Sequence, residues 1–116
     1  RDLHSFPTRR SSDLEWRLYT MTPDGDNITA LTPAGIESTD PSWTPDSKSV
    51  VYSSDSNDSN SEDIFIIDID TLKIRNLTNH KGYEGAPSIS PDGKILAFEA
   101  DWTGVLDIWI VGFVEE

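Results

Sequence analysis

Few residues of this 116-residue chain have the types and spacing that catalysis or metal binding requires. The two histidines, His4 and His80, have no second histidine or cysteine in the pattern of a metal site. Serines are plentiful, but no G-x-S-x-G elbow is present to activate one of them. Because nucleophilic catalysis needs a nucleophile with an oriented base, the sequence predicts no catalytic residue and implies no cofactor.

The one concentrated group of oxygen ligands lies in the loop 55–63, DSNDSNSED. Carboxylate oxygens are the ligands that Ca²⁺ prefers. The candidate ligands are Asp55, Asp58, Glu62 and Asp63. The spacing departs from the EF-hand pattern, since no glycine stands at the sixth position and no acid at the twelfth. A solvated connection between two strands is the simpler interpretation.

The tryptophans are the other candidates for a functional role. Trp43 and Trp109 lie in predicted strands, where large rings fill the space between sheets. Trp102 follows Asp101 in the loop that corresponds to 55–63. Exposed aromatic residues are over-represented at interface hot spots, so Trp102 is the candidate for a contact with a protein partner.

The elements that must position these residues recur along the chain. Residues 41–55, PSWTPDSKSVVYSSD, return as PSISPDGKILAFEAD at 87–101, an offset of 46 residues. Between 16–61 and 62–107, ten positions are identical at this offset. A fixed period of this size indicates a repeat architecture. One such unit cannot bury its own apolar faces, so the chain is predicted to be a piece of a longer array.

Each copy consists of short runs rich in β-branched, aliphatic and aromatic residues, and no run shows a 3.6-residue apolar stripe. Pro-Asp turns separate the runs. Gly93 fits the positive φ that its turn needs, whereas Ser47 at the equivalent position predicts strain or another turn type. Pro41 and Pro87 are expected to open their strands, where a missing N–H does no harm.

The pattern predicts an all-β fold built from four-stranded antiparallel units. One complete unit is expected over 41–85, with strands at about 41–44, 49–54, 63–68 and 73–77. The end of a preceding unit occupies 15–40 and the start of a following one 86–116. Four short strands every 40 to 50 residues are typical of a β-propeller blade.

The repeated PSWTPDSK and PSISPDGK motifs, with the DIFIID and DIWIV strands and the NLT segment, resemble the WD-like propeller repeat of the TolB type. The resemblance covers about residues 16–112. It implies a non-catalytic propeller of the bacterial periplasm that contacts an envelope lipoprotein and a translocation system. The sequence departs from the repeat at Ser47, at Ile89 and in the acidic loop 55–63.

Residues 4–14, HSFPTRRSSDL, are basic and serine-rich, unlike the acidic remainder. They resemble the conceptual translation of a common sequencing adapter, with a basic arm or part of a transit peptide as the alternative. We therefore expect 1–14 to be disordered and unrelated to function. The true N-terminus is then missing, so an exported location rests on the resemblance alone.

Composition narrows the range of partners. The net charge is −12, and it is −13 without residues 1–14, because 19 acids then stand against 6 bases. Such a chain repels phosphate backbones and anionic lipid surfaces, which argues against nucleic acid. No run approaches the roughly 18 apolar residues that span a bilayer. The absence of cysteine excludes disulfides.

Two main classes of function remain open, beside a third and less defined one, a sensor or outer-surface propeller. The first is a protein-binding platform in the cell envelope, with further blades of the same protein needed to close the propeller. The second is the gating propeller of a prolyl-oligopeptidase or tricorn-like serine peptidase whose catalytic domain lies outside this sequence. Both use the same blades, so the fold does not choose between them.

Overall fold

The computed structural model describes residues 2–10, 13–55, 61–80 and 82–114, with side chains from Trp16 onward. Ten strands make up the secondary structure of these residues. They are β1 (Asp2–Arg10), β2 (Asp13–Met21), β3 (Thr29–Ala30), β4 (Ser38–Trp43), β5 (Ser49–Ser54), β6 (Asp63–Asp68), β7 (Ile74–Asn76), β8 (Glu84–Ile89), β9 (Ile95–Ala100) and β10 (Asp107–Gly112). The predicted all-β class is confirmed. Among the described residues there is no helix long and apolar enough to cross a membrane.

The strands form three antiparallel sheets of consecutive strands. The first contains β1–β2–β3, the middle one β4–β5–β6–β7, and the third β8–β9–β10. The middle sheet is the complete four-stranded unit, and the predicted second and third strands agree with β5 and β6. We call the packing of the first sheet on the middle one the first junction, and that of the middle sheet on the third the second junction.

The first strand of each unit begins earlier than the sequence predicts. β4 begins at Ser38 and β8 at Glu84, so Pro41 and Pro87 lie within strands rather than opening them. Both pairings contain a bulge, between Thr39 and Ser42 in β4 and at the equivalent place in β8. A proline is tolerated there because the ladder of hydrogen bonds is already interrupted. The expected strand start was wrong for this reason.

The Pro-Asp turns have the same hydrogen bonds in both copies. The Asp46 Oδ1 atom accepts from the Thr44 hydroxyl at 2.7 Å and the Lys48 N–H at 3.0 Å. Asp92 does the same in the third sheet. Ser47 has a φ of 61° and Gly93 one of 76°, so the serine adopts the same left-handed turn and bears the steric cost that glycine avoids.

A buried threonine connects the outer and third strands of two units. Thr32 Oγ1 accepts a hydrogen bond from the Leu18 N–H at 3.0 Å, and Thr78 Oγ1 accepts one from the Ile64 N–H at 2.9 Å. Both threonines are buried. The side chain thus continues the ladder past the end of the short outer strand, which explains why the repeat contains Leu-Thr at this place.

The apolar residues fall into two clusters, one at each junction. The first-junction core contains Leu18, Leu31, Val50, Tyr52, Phe65 and Ile67. The second-junction core contains Val51, Ile64, Ile66, Leu96, Phe98, Ala100 and Phe113. Alternate residues of β5 and β6 enter different clusters, as expected for strands covered on both faces.

Residues 2–10 are extended, whereas the sequence predicts disorder for 1–14. β1 pairs with β2 in antiparallel register, from Asp2 opposite Met21 to Arg10 opposite Asp13. It lies beside β2 as β5 lies beside β6. The edge of β2 offers backbone N–H and C=O groups that any extended segment can pair with, so the pairing needs no related sequence. Its origin as a translated adapter stays a prediction.

Candidate functional site

The two ends of the sheets differ in chemistry. At one end β4, β6, β8 and β10 begin and β5, β7 and β9 end. We call this end the acidic rim. Its carboxylates are those of Glu37, Asp40, Asp55, Glu62, Asp63, Glu84, Glu99, Asp101 and Asp107. The opposite end, the turn rim, contains the aspartates Asp46, Asp68, Asp70 and Asp92 of its turns together with Lys48, Lys73 and Lys94, so its charge is more mixed.

Asp55 and Asp101 hold the chain together at the acidic rim. The Asp55 Oδ1 atom accepts from the Glu37 N–H at 3.0 Å, and the Asp101 Oδ1 atom accepts from the Tyr83 N–H at 3.0 Å. A carboxylate that accepts a backbone N–H closes a loop much as a cap closes a helix. These two acids, 46 residues apart in the repeat, therefore have a structural role.

The proposed Ca²⁺ ligands do not come together as a set in the described residues. Asp58 lies outside them. Asp55 is engaged by the Glu37 N–H, and the Asp63 carboxylate accepts from the Asn76 amide at 3.3 Å. Within the part of the chain that the structure describes, no three His, Cys, Asp or Glu side chains are arranged to hold a metal ion.

The electrostatics of the acidic rim are those of crowded carboxylates. Partial burial raises the pKa of Glu62, and the negative charges of Asp40, Glu37 and Asp55 add to the effect. Burial likewise raises the pKa of Tyr83, whose hydroxyl donates to Glu99 Oε1 at 2.8 Å. Like charges held this close attract cations or cationic groups of a partner.

Trp102 is packed rather than free. Its ring stacks on His80 with 4.5 Å between ring centroids and lies 4.8 Å from Trp109 and 5.4 Å from Phe98. Its indole N–H donates to Glu84 Oε2 at 3.0 Å. The residue is half-buried, so one part of it belongs to the second-junction core while the rest faces the acidic rim. Trp43 and Trp109 lie against the two cores.

Tyr83 has a fixed position on the same rim. A β-carbon on Gly85 would lie 2.1 Å from the Tyr83 hydroxyl oxygen and 2.5 Å from its Cζ atom. Only a glycine therefore lets the ring cross the strand at this point and reach Glu99. The middle unit has Thr39 at the equivalent position, so the third sheet has this feature and the middle sheet does not.

Comparison with known proteins agrees with this architecture. No family model matches the chain. A 57-residue segment is 44% identical to the Tol-Pal system protein TolB of Francisella tularensis, covering 49% of the chain and 13% of that protein. The TolB protein of Alcanivorax borkumensis is 29% identical over 82 residues, which cover 71% of the chain and 19% of the relative.

Solved structures give the same result over most of the chain. The crystal structure of TolB from Acinetobacter baumannii matches with a TM-score of 0.71 and 28% identity, over 86% of the chain and 27% of that protein. A putative TolB from Agrobacterium tumefaciens matches with a TM-score of 0.79 and 27% identity, over 95% of the chain and 38% of that protein. The chain has a TolB-like β-propeller fold.

The TolB-like chain spans only a small part of these relatives. A puromycin-hydrolysing peptidase from Mycobacterium tuberculosis also matches, with a TM-score of 0.63 and 20% identity over 96% of the chain and 20% of that protein. At this identity the likeness shows the fold alone. It gives no support to the peptidase hypothesis beyond the shared blades.

Sequence reasoning overlooked Glu84 and Tyr83. Glu84 stands where Ser38 stands in the preceding unit, and that exchange of a small residue for an acid was the available signal. A glutamate in a turn-rich stretch normally faces solvent. The packing of β8 on β4, β5 and β6 places this one in the interior.

Proposed function

We propose that the chain is part of a non-catalytic, TolB-like propeller that serves as a protein-binding platform in the bacterial cell envelope. The observation that carries the proposal is the match to two TolB structures at TM-scores of 0.71 and 0.79, together with the 44% identical segment. The Francisella relative is a protein of the Tol-Pal system. We infer a protein partner of that kind and an exported, periplasmic location.

The acidic rim is the surface that we assign to the partner. It combines crowded carboxylates with a fixed Tyr83 and a half-buried Trp102. Val105 and Leu106, three and four residues after Trp102, are exposed. Rigid aromatic residues beside apolar and charged groups are the usual components of an interface hot spot.

Further blades of the same protein are needed to complete the platform. The outward face of the third sheet exposes Ile108 and Ile110, whose equivalents in the middle sheet are buried by the next blade. A repeat unit with an uncovered apolar face lacks a stabilising neighbour. We therefore assign that face to another blade of the full-length protein rather than to the partner.

The test is a binding titration of the chain against the purified Pal component of the Tol-Pal system. We expect saturable binding that weakens as salt is added, because the acidic rim contributes charge. Trp102→Ala and, to leave the ring packing intact, Val105→Ser should each raise the Kd. Lys94→Ala on the turn rim is the matched control and should leave the Kd unchanged.

Two results would overturn the proposal. Titration curves that are identical for all three variants would remove the acidic rim from the interface. A flanking coding sequence with a G-x-S-x-G segment followed by aspartate and histidine would select the peptidase-associated propeller. The Ca²⁺ hypothesis for loop 55–63 has its own test by calorimetric titration. The absence of a heat signal at millimolar Ca²⁺ would contradict it.

A further inference from the structure

Glu84 is an acid buried at the second junction. None of its surface is exposed, and its backbone N–H donates to the Glu62 carbonyl at 2.8 Å, which ties β8 to the middle sheet. Its Oε2 atom accepts from the Trp102 indole, whereas Oε1 has no hydrogen-bond partner. A buried ionised carboxylate requires a cation or several donors, and this site gives it few.

The neighbour of Glu84 is a second buried acid. Asp63, at the start of β6, is 5% exposed and directly follows Glu62, whose carbonyl accepts from the Glu84 N–H, so the two buried acids are neighbours across the junction. Two carboxyl groups can share a hydrogen bond only when a proton lies between them. Burial and the neighbouring Asp63 carboxyl group raise the pKa of Glu84, against the opposing effect of hydrogen bonds from Trp102 and Thr78.

We propose that the second junction is a proton-dependent latch. With one proton between Glu84 and Asp63, β8 stays against β6 and Trp102 stays hydrogen-bonded and stacked. When the proton passes to solvent, the two carboxylates repel each other, Glu84 withdraws from the junction, and Trp102 loses its acceptor and turns towards the acidic rim. The latch does not depend on the identity of any partner.

The charged groups of the surrounding elements favour this behaviour. The titratable residues on the elements around Glu84 are Glu37, Asp40, Asp55, Glu62, Asp63, His80, Tyr83, Glu99, Asp101 and Asp107. Lys81 lies outside the described residues. Apart from His80 and Tyr83 these are acids, so loss of the proton adds negative charge to a negative environment. His80 stacks on Trp102 with 4.5 Å between ring centroids, so a change at His80 would also reach the Trp102 indole, and a His80 variant is the necessary control.

The first junction provides an internal comparison. At the 46-residue offset, Asp63 corresponds to Arg17 and Glu84 to Ser38. The Arg17 guanidinium donates to the Thr32 carbonyl at 2.7 and 3.0 Å. No pair of carboxyl groups occupies these positions, so the Trp43 indole at the first junction should not respond to the proton of the second.

The experiment is a pH titration of the full chain, from pH 4 to 9, by NMR of tryptophan indole N–H and glutamate carboxyl signals. We expect the Trp102 indole and the Glu84 carboxyl to shift together with a midpoint near 7, while Trp43 does not share that step. Glu84→Gln should abolish the Trp102 step. Asp63→Asn should lower the Glu84 midpoint, since the like-charged neighbour is gone. His80→Gln and Glu99→Gln should retain the step.

Several outcomes would overturn the latch. They are a Trp102 step that persists in Glu84→Gln, a step that disappears in His80→Gln, and a Glu84 midpoint below 5 in the unsubstituted chain. If Glu84→Gln does not fold, as checked by far-UV circular dichroism, the unsubstituted chain and Asp63→Asn still decide the question. Equal shifts of Trp43 and Trp102 would indicate a global transition and would also contradict the proposal.

Discussion

The outward faces of the middle and third sheets have nearly the same sequence and very different surroundings. Ile64 and Ile66 are 0% and 6% exposed, whereas Ile108 and Ile110, at the same places in β10, are 73% and 66% exposed. The residue type is identical in the two pairs, so the neighbouring sheet alone makes the difference. In a repeat protein, whether an apolar residue is buried therefore depends on the neighbouring unit as well as on its own.

The largest expected effect comes from truncating one isoleucine in each sheet. Ile64→Ala should lower the free energy of unfolding by about 3–4 kcal/mol, because it removes buried methyl groups and leaves a cavity. Ile108→Ala, at an exposed position, should change it by less than about 0.5 kcal/mol. Urea denaturation of the full chain measures both. Equal losses would mean that the third sheet is covered in solution.

The next effect is a dependence of stability on pH that arises at the second junction. The folded chain raises the pKa of Glu84 from its ordinary 4.5 to about 7. Below the ordinary value both states hold the proton, and as pH rises the unfolded chain releases it first. The free energy of unfolding should therefore fall between pH 4.5 and 7, by up to about 3 kcal/mol at 1.36 kcal/mol per pKa unit.

Denaturation of the unsubstituted chain and of Glu84→Gln at a series of pH values measures this dependence. In the variant, the free energy of unfolding should change much less with pH, since glutamine does not titrate. The other carboxyl groups titrate in both proteins and are removed by the comparison. An unchanged slope would assign the pH dependence elsewhere on the acidic rim.

A smaller effect tests whether the equivalent buried threonines Thr32 and Thr78 stabilise their units equally. Thr32→Val and Thr78→Val each leave a buried backbone N–H without its acceptor, which costs about 1–3 kcal/mol. We expect similar losses in the two variants by urea denaturation. Thr32→Ser and Thr78→Ser retain the hydroxyl and should recover much of the stability. A large loss in only one variant would show that the two equivalent hydrogen bonds contribute unequally to the free energy of unfolding.

The smallest effect concerns the paired turns. Ser47→Gly should raise the melting temperature slightly, with a gain below about 1 kcal/mol, because glycine adopts the left-handed conformation without steric cost. Gly93→Ala introduces the opposite change at the matched position and should cost about 1 kcal/mol. Calorimetry on both variants gives the sign. A loss in Ser47→Gly would show that the serine side chain contributes a contact of its own.

The sequence was enough to predict what depends on local spacing. Period, turn positions and the bounds of β5 and β6 follow from Pro-Asp turns and alternating apolar residues, and the structure confirms them. The start of β4 did not follow, because a proline is disfavoured inside a paired strand. The bulge that accommodates Pro41 within β4 is visible only in the structure. Glu84 could not be recognised either, since its burial comes from a neighbouring unit rather than from its own residues.

The bulged prolines of the innermost strands also restrict what those strands can join. β4 and β8 are each at the end of a sheet, and an end strand with free N–H groups invites a second molecule to extend it. Pro41 and Pro87 have no backbone N–H, and the bulge beside each one bends the strand, so another strand cannot pair along a regular edge. The inner edges are thus protected against self-association, so misassembly should begin instead at the opposite edge of the third sheet, at β10.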